Sequence, residues 1–264
     1  MRARWAGTAV AVTLLVGLGV AACAAPSARP RATGSKAPTA APAAPAATSA
    51  QCPKPRFTTS NPVGGWTDGN YYVYNNMWNS SGYQVAQTLY ACAYNNWFVV
   101  ATMNNDSGDG AVKTYPNVQE TFNEPAISSF HSISSTFAET SPPVGIYEDA
   151  YDIWINGIAS SSSTEVMIWT QNHGQTPAGS VAGTVSFDGR SYQVWQTQGY
   201  VAFVADTNFS SGTVNLLAFF DWIIGKGWIP ARSTLGQIDY GVELVSTNNA
   251  PATFAFTNFS ISTS

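Results

Sequence analysis

The sequence predicts an all-β fold, a sandwich of two sheets carrying a single helix. Three observations lead there. Short apolar–polar alternating runs, separated by Gly, Asn, Ser and Pro clusters, recur from about residue 70 to the end of the chain. One segment alone breaks that rhythm with helical spacing. The first fifty residues have the composition of a leader and a tether, which leaves about 210 residues for one domain with a sizeable core.

The β-like runs fall at 70–74, 84–93, 97–103, 129–137, 144–155, 165–170, 183–187, 191–197, 200–205, 237–246 and 253–262. The helix is expected over 214–224, where Leu216, Leu217, Phe220, Trp222, Ile223 and Ile224 recur at helical spacing before Gly225 and Gly227 stop it. Packed across the outer sheet, that helix leaves the inner sheet free to curve into a cleft. No internal repeat and no second domain are visible.

Residues 1–22 read as an export signal: Arg2 and Arg4 precede an apolar stretch from Ala9 to Ala22, too short to span a bilayer as a mature helix. Val20-Ala21-Ala22-Cys23 resembles a bacterial lipobox, which makes Cys23 the lipidated N-terminus of the mature chain. The alternative is an ordinary signal cut nearby, with Cys23 incidental. Residues 23–50 are rich in Ala and Pro and hold no aromatic residue, a composition that builds a semi-extended tether and no core. The folded domain spans 51–264. Of the three cysteines in the chain, Cys52 and Cys92 remain to pair as one disulfide in an exported protein.

All fifteen acids lie after residue 50, against six bases there, so the domain has a formal charge of −9. That argues against nucleic acid as a partner and leaves neutral or cationic substrates open. Eight of the nine tryptophans also lie in the domain, more than core packing alone requires.

Three runs place an acid on the polar face of a strand. In Thr164-Glu165-Val166-Met167-Ile168-Trp169, the residues Glu165, Met167 and Trp169 share one side. In Tyr151-Asp152-Ile153-Trp154-Ile155, Asp152 and Trp154 oppose the apolar set. Around Glu243, the residues Tyr240, Val242 and Leu244 alternate with Asp239, Gly241 and Glu243; Gly241 is expected to leave room for a bulky ligand beside Glu243. Tyr72, Tyr74, Asn76 and Trp78 share one parity and offer either a stacking platform or an aromatic core strand. A single acid of this kind is ordinarily solvated surface. Three, with tryptophans beside them, point to a site.

Other chemistries lack residues. The only histidines, His131 and His173, have no metal-ligand spacing; His131 reads as surface, His173 as a loop residue that can also reach a ligand. No G-x-S-x-G elbow and no Gly-rich phosphate loop occurs, and no cofactor is expected. Paired carboxylates flanking an aromatic groove are what glycoside hydrolysis uses.

Over roughly residues 52–264 the chain resembles glycoside hydrolase family 12, the compact endo-β-1,4-glucanase and xyloglucanase family. The resemblance rests on Tyr74-Asn75-Asn76-Met77-Trp78, on Tyr151-Asp152-Ile153-Trp154 followed by Thr164-Glu165-Val166-Met167-Ile168-Trp169, and on Gly241-Val242-Glu243. It implies a concanavalin-like β-jelly-roll of two curved antiparallel sheets with one helix, monomeric, with a β-glucan on the concave face. It also implies a retaining mechanism with Glu165 as nucleophile, Glu243 as acid/base and Asp152 as supporting carboxylate hydrogen-bonded to the nucleophile. Asn76 and Trp78 match sugar contacts on the non-reducing side; Met167 and Trp169 match the groove near the cleaved bond. The chain departs from the family where Glu243 is followed by Leu244, Val245 and Ser246 instead of Pro and an aromatic. The stretch 171–180, where the family lays a cord across its groove, is unusually polar. Two non-enzymatic readings compete: a carbohydrate-binding jelly roll, and an adhesion lipoprotein whose acids only solvate it.

Overall fold

The structure, a computed structural model, describes residues 52–264. The expected signal, the lipobox cysteine Cys23 and the linker lie outside the described residues.

Fifteen strands and one α-helix make up the regular structure of the described residues. In chain order the strands are β1 (Phe57–Thr59), β2 (Gly65–Asp68), β3 (Tyr71–Tyr74), β4 (Val85–Ala93), β5 (Asn96–Met103), β6 (Asn117–Thr121), β7 (Ile133–Thr140) and β8 (Ile146–Ile155). They continue as β9 (Thr164–His173), β10 (Ser180–Phe187), β11 (Arg190–Thr197), β12 (Tyr200–Ala205), β13 (Ser211–Asn215), β14 (Leu235–Ser246) and β15 (Ala252–Thr263). The helix α1 spans Leu216–Gly225. Two sheets result: β1-β4-β5-β15-β7-β13, and the larger β10-β11-β12-β9-β8-β14-β6-β3-β2.

The expected sandwich is present, with the core where period-two alternation puts it. Val166 and Ile168 of β9, Tyr151, Ile153 and Ile155 of β8, and Tyr240, Val242 and Leu244 of β14 all join one inter-sheet cluster. The opposite face of the larger sheet has its own small cluster, in which Met167 and Trp169 meet Ala150 and Ala202. That second, outward-facing cluster marks the groove.

Three details differ from expectation. The sheets are not antiparallel throughout: β12 pairs with β9 in parallel, Tyr200 opposite Glu165 and Val204 opposite Trp169. The register explains it. The chain leaves β9 at His173 and starts β10 at the other end of the sheet, so residues 174–179 cross the concave face before the β10-β11-β12 meander returns. Gly179 closes the crossing at φ 84°, and a Cβ there would lie 2.3 Å from the Gln196 carbonyl oxygen.

The helix also sits elsewhere. Val214 belongs to β13, opposite Ser135, and α1 begins two residues later than expected, at Leu216, capped by the Asn215 side chain accepting from the Ala218 N–H. Its buried stripe, Leu216, Phe219, Phe220 and Ile223, covers the core side of the larger sheet where the smaller one runs out. There Phe219 packs on Phe187, Tyr192 and Phe203. Finally, the run expected at 129–137 is a strand only from Ile133; Ile127–Ser129 form a 3-10 turn.

Cys52 and Cys92 form a disulfide, Cα to Cα 5.7 Å, tying the start of the described chain to β4. Closing a loop of 40 residues stabilises the fold by about 4 kcal/mol in the chain-entropy account.

Candidate active site

Three neighbouring strands, β9, β8 and β14, supply the groove's acids. Alternation turns Glu165, Met167 and Trp169 outward from β9; Glu148, Ala150, Asp152 and Trp154 from β8; and Asp239, Gly241 and Glu243 from β14. Register decides who meets whom. Glu165 lies opposite Trp154, Asp152 opposite both Met167 and Asp239, and Glu148 opposite Glu243.

Two cavities meet over these strands, of about 570 Å³ and about 380 Å³. Glu165, Glu243 and Trp78 line both, so the two carboxyls stand at their junction. The larger cavity runs over Asn76, Asp152, Trp154 and Asp239; the smaller over Met167, Trp169, Tyr200 and the crossing segment at Gln175–Ala178. The expected cord across the groove is therefore present.

The platform near β3 divides. Tyr74, Asn76 and Trp78 line the larger cavity, whereas Tyr72 turns to Gly65, where a Cβ would sit 2.3 Å from its ring. Asn75, fully buried, receives Gln87 Nε2 on its carbonyl and its Oδ1, which anchors the turn that aims its neighbours at the groove. Asn76 accepts the φ of 35° that this turn imposes, a backbone state that asparagine tolerates. Trp78 is 62% exposed and presents a ring face to any ligand. Met167 and Trp169 are each only 2% exposed: they shape the wall. The Met167 sulfur receives both Trp169 Nε1 and the Tyr200 hydroxyl at 3.4 Å, which fixes that wall.

Gly241 does not open the site. A Cβ there would lie 2.1 Å from the Pro116 carbonyl oxygen, so glycine is required by the close approach of the segment entering β6. His173 stacks on Tyr147, ring centroids 5.2 Å apart, with Nδ1 2.7 Å from the Gly145 carbonyl oxygen. It braces a turn outside both cavities. His131 is exposed.

Burial dominates the electrostatics. It pushes the Glu165 carboxyl up to about 7, with the Glu243 charge adding to the effect. Burial also raises Glu243, partly offset by a hydrogen bond from Glu148. Asp152 is held well above the usual carboxylate range by burial, then by Glu165, Asp239 and Glu243. Asp239 is raised by burial alone. Asp152 and Asp239 each keep one buried oxygen without a hydrogen-bond partner, facing the larger cavity. Tyr115 stands among these acids and donates its hydroxyl to the Ala150 carbonyl at 3.1 Å. The protons of such a cluster come off in steps that belong to the group and not to one carboxyl. Among the described residues, no group of three or more His, Cys, Asp or Glu is placed to hold a metal ion.

Residues 69–264 match the family model for glycosyl hydrolase family 12. The chain belongs to that family. Among its curated relatives, Endoglucanase A of Aspergillus kawachii is 26% identical over 211 residues, covering 73% of this chain and 87% of the relative. A protein named inactive glycoside hydrolase XLP1, from Phytophthora nicotianae, is 26% identical over 199 residues, covering 70% and 84%. In structure, the xyloglucanase domain of NopAA from Sinorhizobium fredii, solved in complex with cellobiose, superposes with a TM-score of 0.70 at 25% identity, covering 80% of this chain and all of that one.

Within this family 12 domain, Glu148, Asp239, Tyr115 and Tyr200 reach the groove without having been singled out from the sequence. Parity held the signal for two of them: Glu148 is in step with Asp152, and Asp239 with Glu243.

Proposed function

We propose that this family 12 chain is an exported, endo-acting glycoside hydrolase that cleaves β-1,4-glucosidic bonds in cellulose-like or related β-glucans by retaining double displacement. The observation that carries the reading is the meeting of Glu165 and Glu243 at the junction of two cavities, both carboxyls lifted by burial. Glu165 attacks the anomeric carbon while Glu243 protonates the departing glycosidic oxygen. Glu243 then takes a proton from the water that displaces Glu165.

The first step needs Glu165 ionised while Glu243 is protonated. Those demands are compatible, because part of the upward pressure on Glu165 is the charge of Glu243, which vanishes while Glu243 holds its proton. Asp152, whose burial favours the protonated form, supports the nucleophile as a neighbouring carboxyl. Asn76 and the exposed face of Trp78 hold the non-reducing side of the glucan, and Met167 with Trp169 shapes the space around the reacting sugar. A β-1,4-linked glucose chain is favoured by the endoglucanase relative and by the cellobiose-bound neighbour. Export and membrane attachment through a lipid on Cys23 rest on the leader sequence, and the domain acts as a monomer.

A second reading, carbohydrate binding without turnover, is favoured by the relative named inactive. Reducing-end release from carboxymethyl cellulose, barley β-glucan and xyloglucan separates the two. Hydrolysis that disappears in Glu165→Gln and in Glu243→Gln supports the enzyme, and binding without product supports the module. The anomer formed first, read by proton NMR, must be β; an α product removes the double displacement.

A further inference from the structure

Glu148 has no part in the mechanism above, yet it touches the group on which that mechanism turns. On an antiparallel pair, residues directly opposite carry Cβ atoms about 4.5–5.5 Å apart, and like charges placed so destabilise the sheet. Glu148 and Glu243 are such a pair. Glu148 is 1% exposed, its Oε2 has no partner, and its carboxyl is hydrogen-bonded to that of Glu243. Both line the smaller cavity with Trp169 and Tyr200.

We propose that Glu148 is a positioning residue for Glu243, a second carboxyl that decides where the acid/base proton points. The inference rests on the reading of Glu243 as acid/base. With both groups protonated, the Glu148 hydroxyl donates to Glu243, and Glu243's own proton is free to face the glycosidic oxygen. Loss of one proton leaves the other held between the two carboxyls in a charge-assisted bond, drawn away from the substrate. Acid catalysis then ends at the first ionisation of the pair. In the second step Glu148–H donates to the Glu243 carboxylate and aims its free oxygen at water.

The surroundings favour this sharing. Besides Glu243 on β14, Glu148 feels the charge of Asp149 across its own strand, and Tyr200 on β12 senses Glu148 in turn. Glu165 on β9 lines the same cavity. The Lys113 ammonium is committed elsewhere, Nζ donating to the Ala111 and Val245 carbonyls. Burial and the Glu243 charge hold the Glu148 carboxyl well above the usual range.

Glu148→Gln keeps a donor to Glu243 and removes the second ionisable carboxyl that competes for its proton. The basic limb of its kcat/KM profile is expected to move to higher pH by about one unit, with KM within about two-fold. Glu148→Ala, which lacks the donor, loses roughly ten-fold or more in kcat. A Glu148→Gln profile that superposes on the wild type overturns the inference while leaving the assignment of Glu243 intact. Carbon-13 NMR titration of labelled glutamate carboxyls decides it without turnover, even if no glucan is cleaved. The wild type is expected to show the Glu148 and Glu243 carboxyls titrating together, and Glu148→Gln to lose that shared step while the coupling of Glu243 to Glu165 stays; a Glu243 titration unchanged by the substitution overturns the inference.

Discussion

Two acid clusters flank β8, and their different fates show what burial does to a carboxyl when it has a purpose beyond packing. On the groove side stand Glu148, Asp152, Glu165, Asp239 and Glu243, facing two open cavities. One residue along the strand from Glu148, the side chain of Asp149 points the other way and meets Glu139 of β7, in the opposite sheet. Gln171 Nε2 donates to Glu139, and the Ser141 hydroxyl donates to Asp149 at 3.0 Å, but each acid keeps one buried oxygen unpartnered. Burial raises all seven acids. Only the first five line the two groove cavities. Under the proposed mechanism the same burial serves chemistry on one face, while on the other it only weighs on stability.

That contrast is open to direct attack. The largest effect should come from Glu165→Gln or Glu243→Gln, each lowering kcat by about 10³-fold or more while the melting temperature at neutral pH holds or rises. Glu139→Gln should leave kcat unchanged. Loss of hydrolysis in that variant would erase the distinction between the clusters.

Next in size is a stability effect that Glu139 contributes apart from the groove acids. Glu139 has its folded-state carboxyl raised to about 7, so its contribution is fully present below the unfolded value and disappears as pH rises toward 7. Denaturant melts should therefore show stability falling on the order of 2–3 kcal/mol between about pH 4.5 and 7 on account of this group. Glu139→Gln should flatten that slope. An unchanged slope would mean the acid is already relieved in solution. Smallest is Trp78→Ala, which removes one exposed stacking face: KM for a soluble glucan should rise a few-fold to ten-fold, about 0.5–1.5 kcal/mol, with kcat little altered.

How far the sequence carried depended on whether a feature was local. Alternation around Glu165, Asp152 and Glu243 located the core face and the groove face of β9, β8 and β14 correctly, since a strand's period of two needs no knowledge of its partners. Strands β1, β2, β6 and β13 escaped because three to five residues such as Asn117–Thr121, with Val118 as the sole apolar member, show no period. The parallel β9–β12 pair and the pairing of Glu148 with Glu243 are matters of register, which no single strand encodes. Gly241 was misread for a related reason. A missing side chain looks the same in sequence whether a ligand or the backbone at Pro116 takes the space.

The Cys52–Cys92 bond bears on mechanics. A pull on the chain upstream of Cys52 would be carried across the sulfur bridge directly into β4, which lies inside the smaller sheet between β1 and β5. The intervening strand β1, held by three residues of pairing to β4, is enclosed in the covalent loop and bears none of the load. Load applied at that end would therefore reach the interior of the smaller sheet without first peeling β1 from its edge.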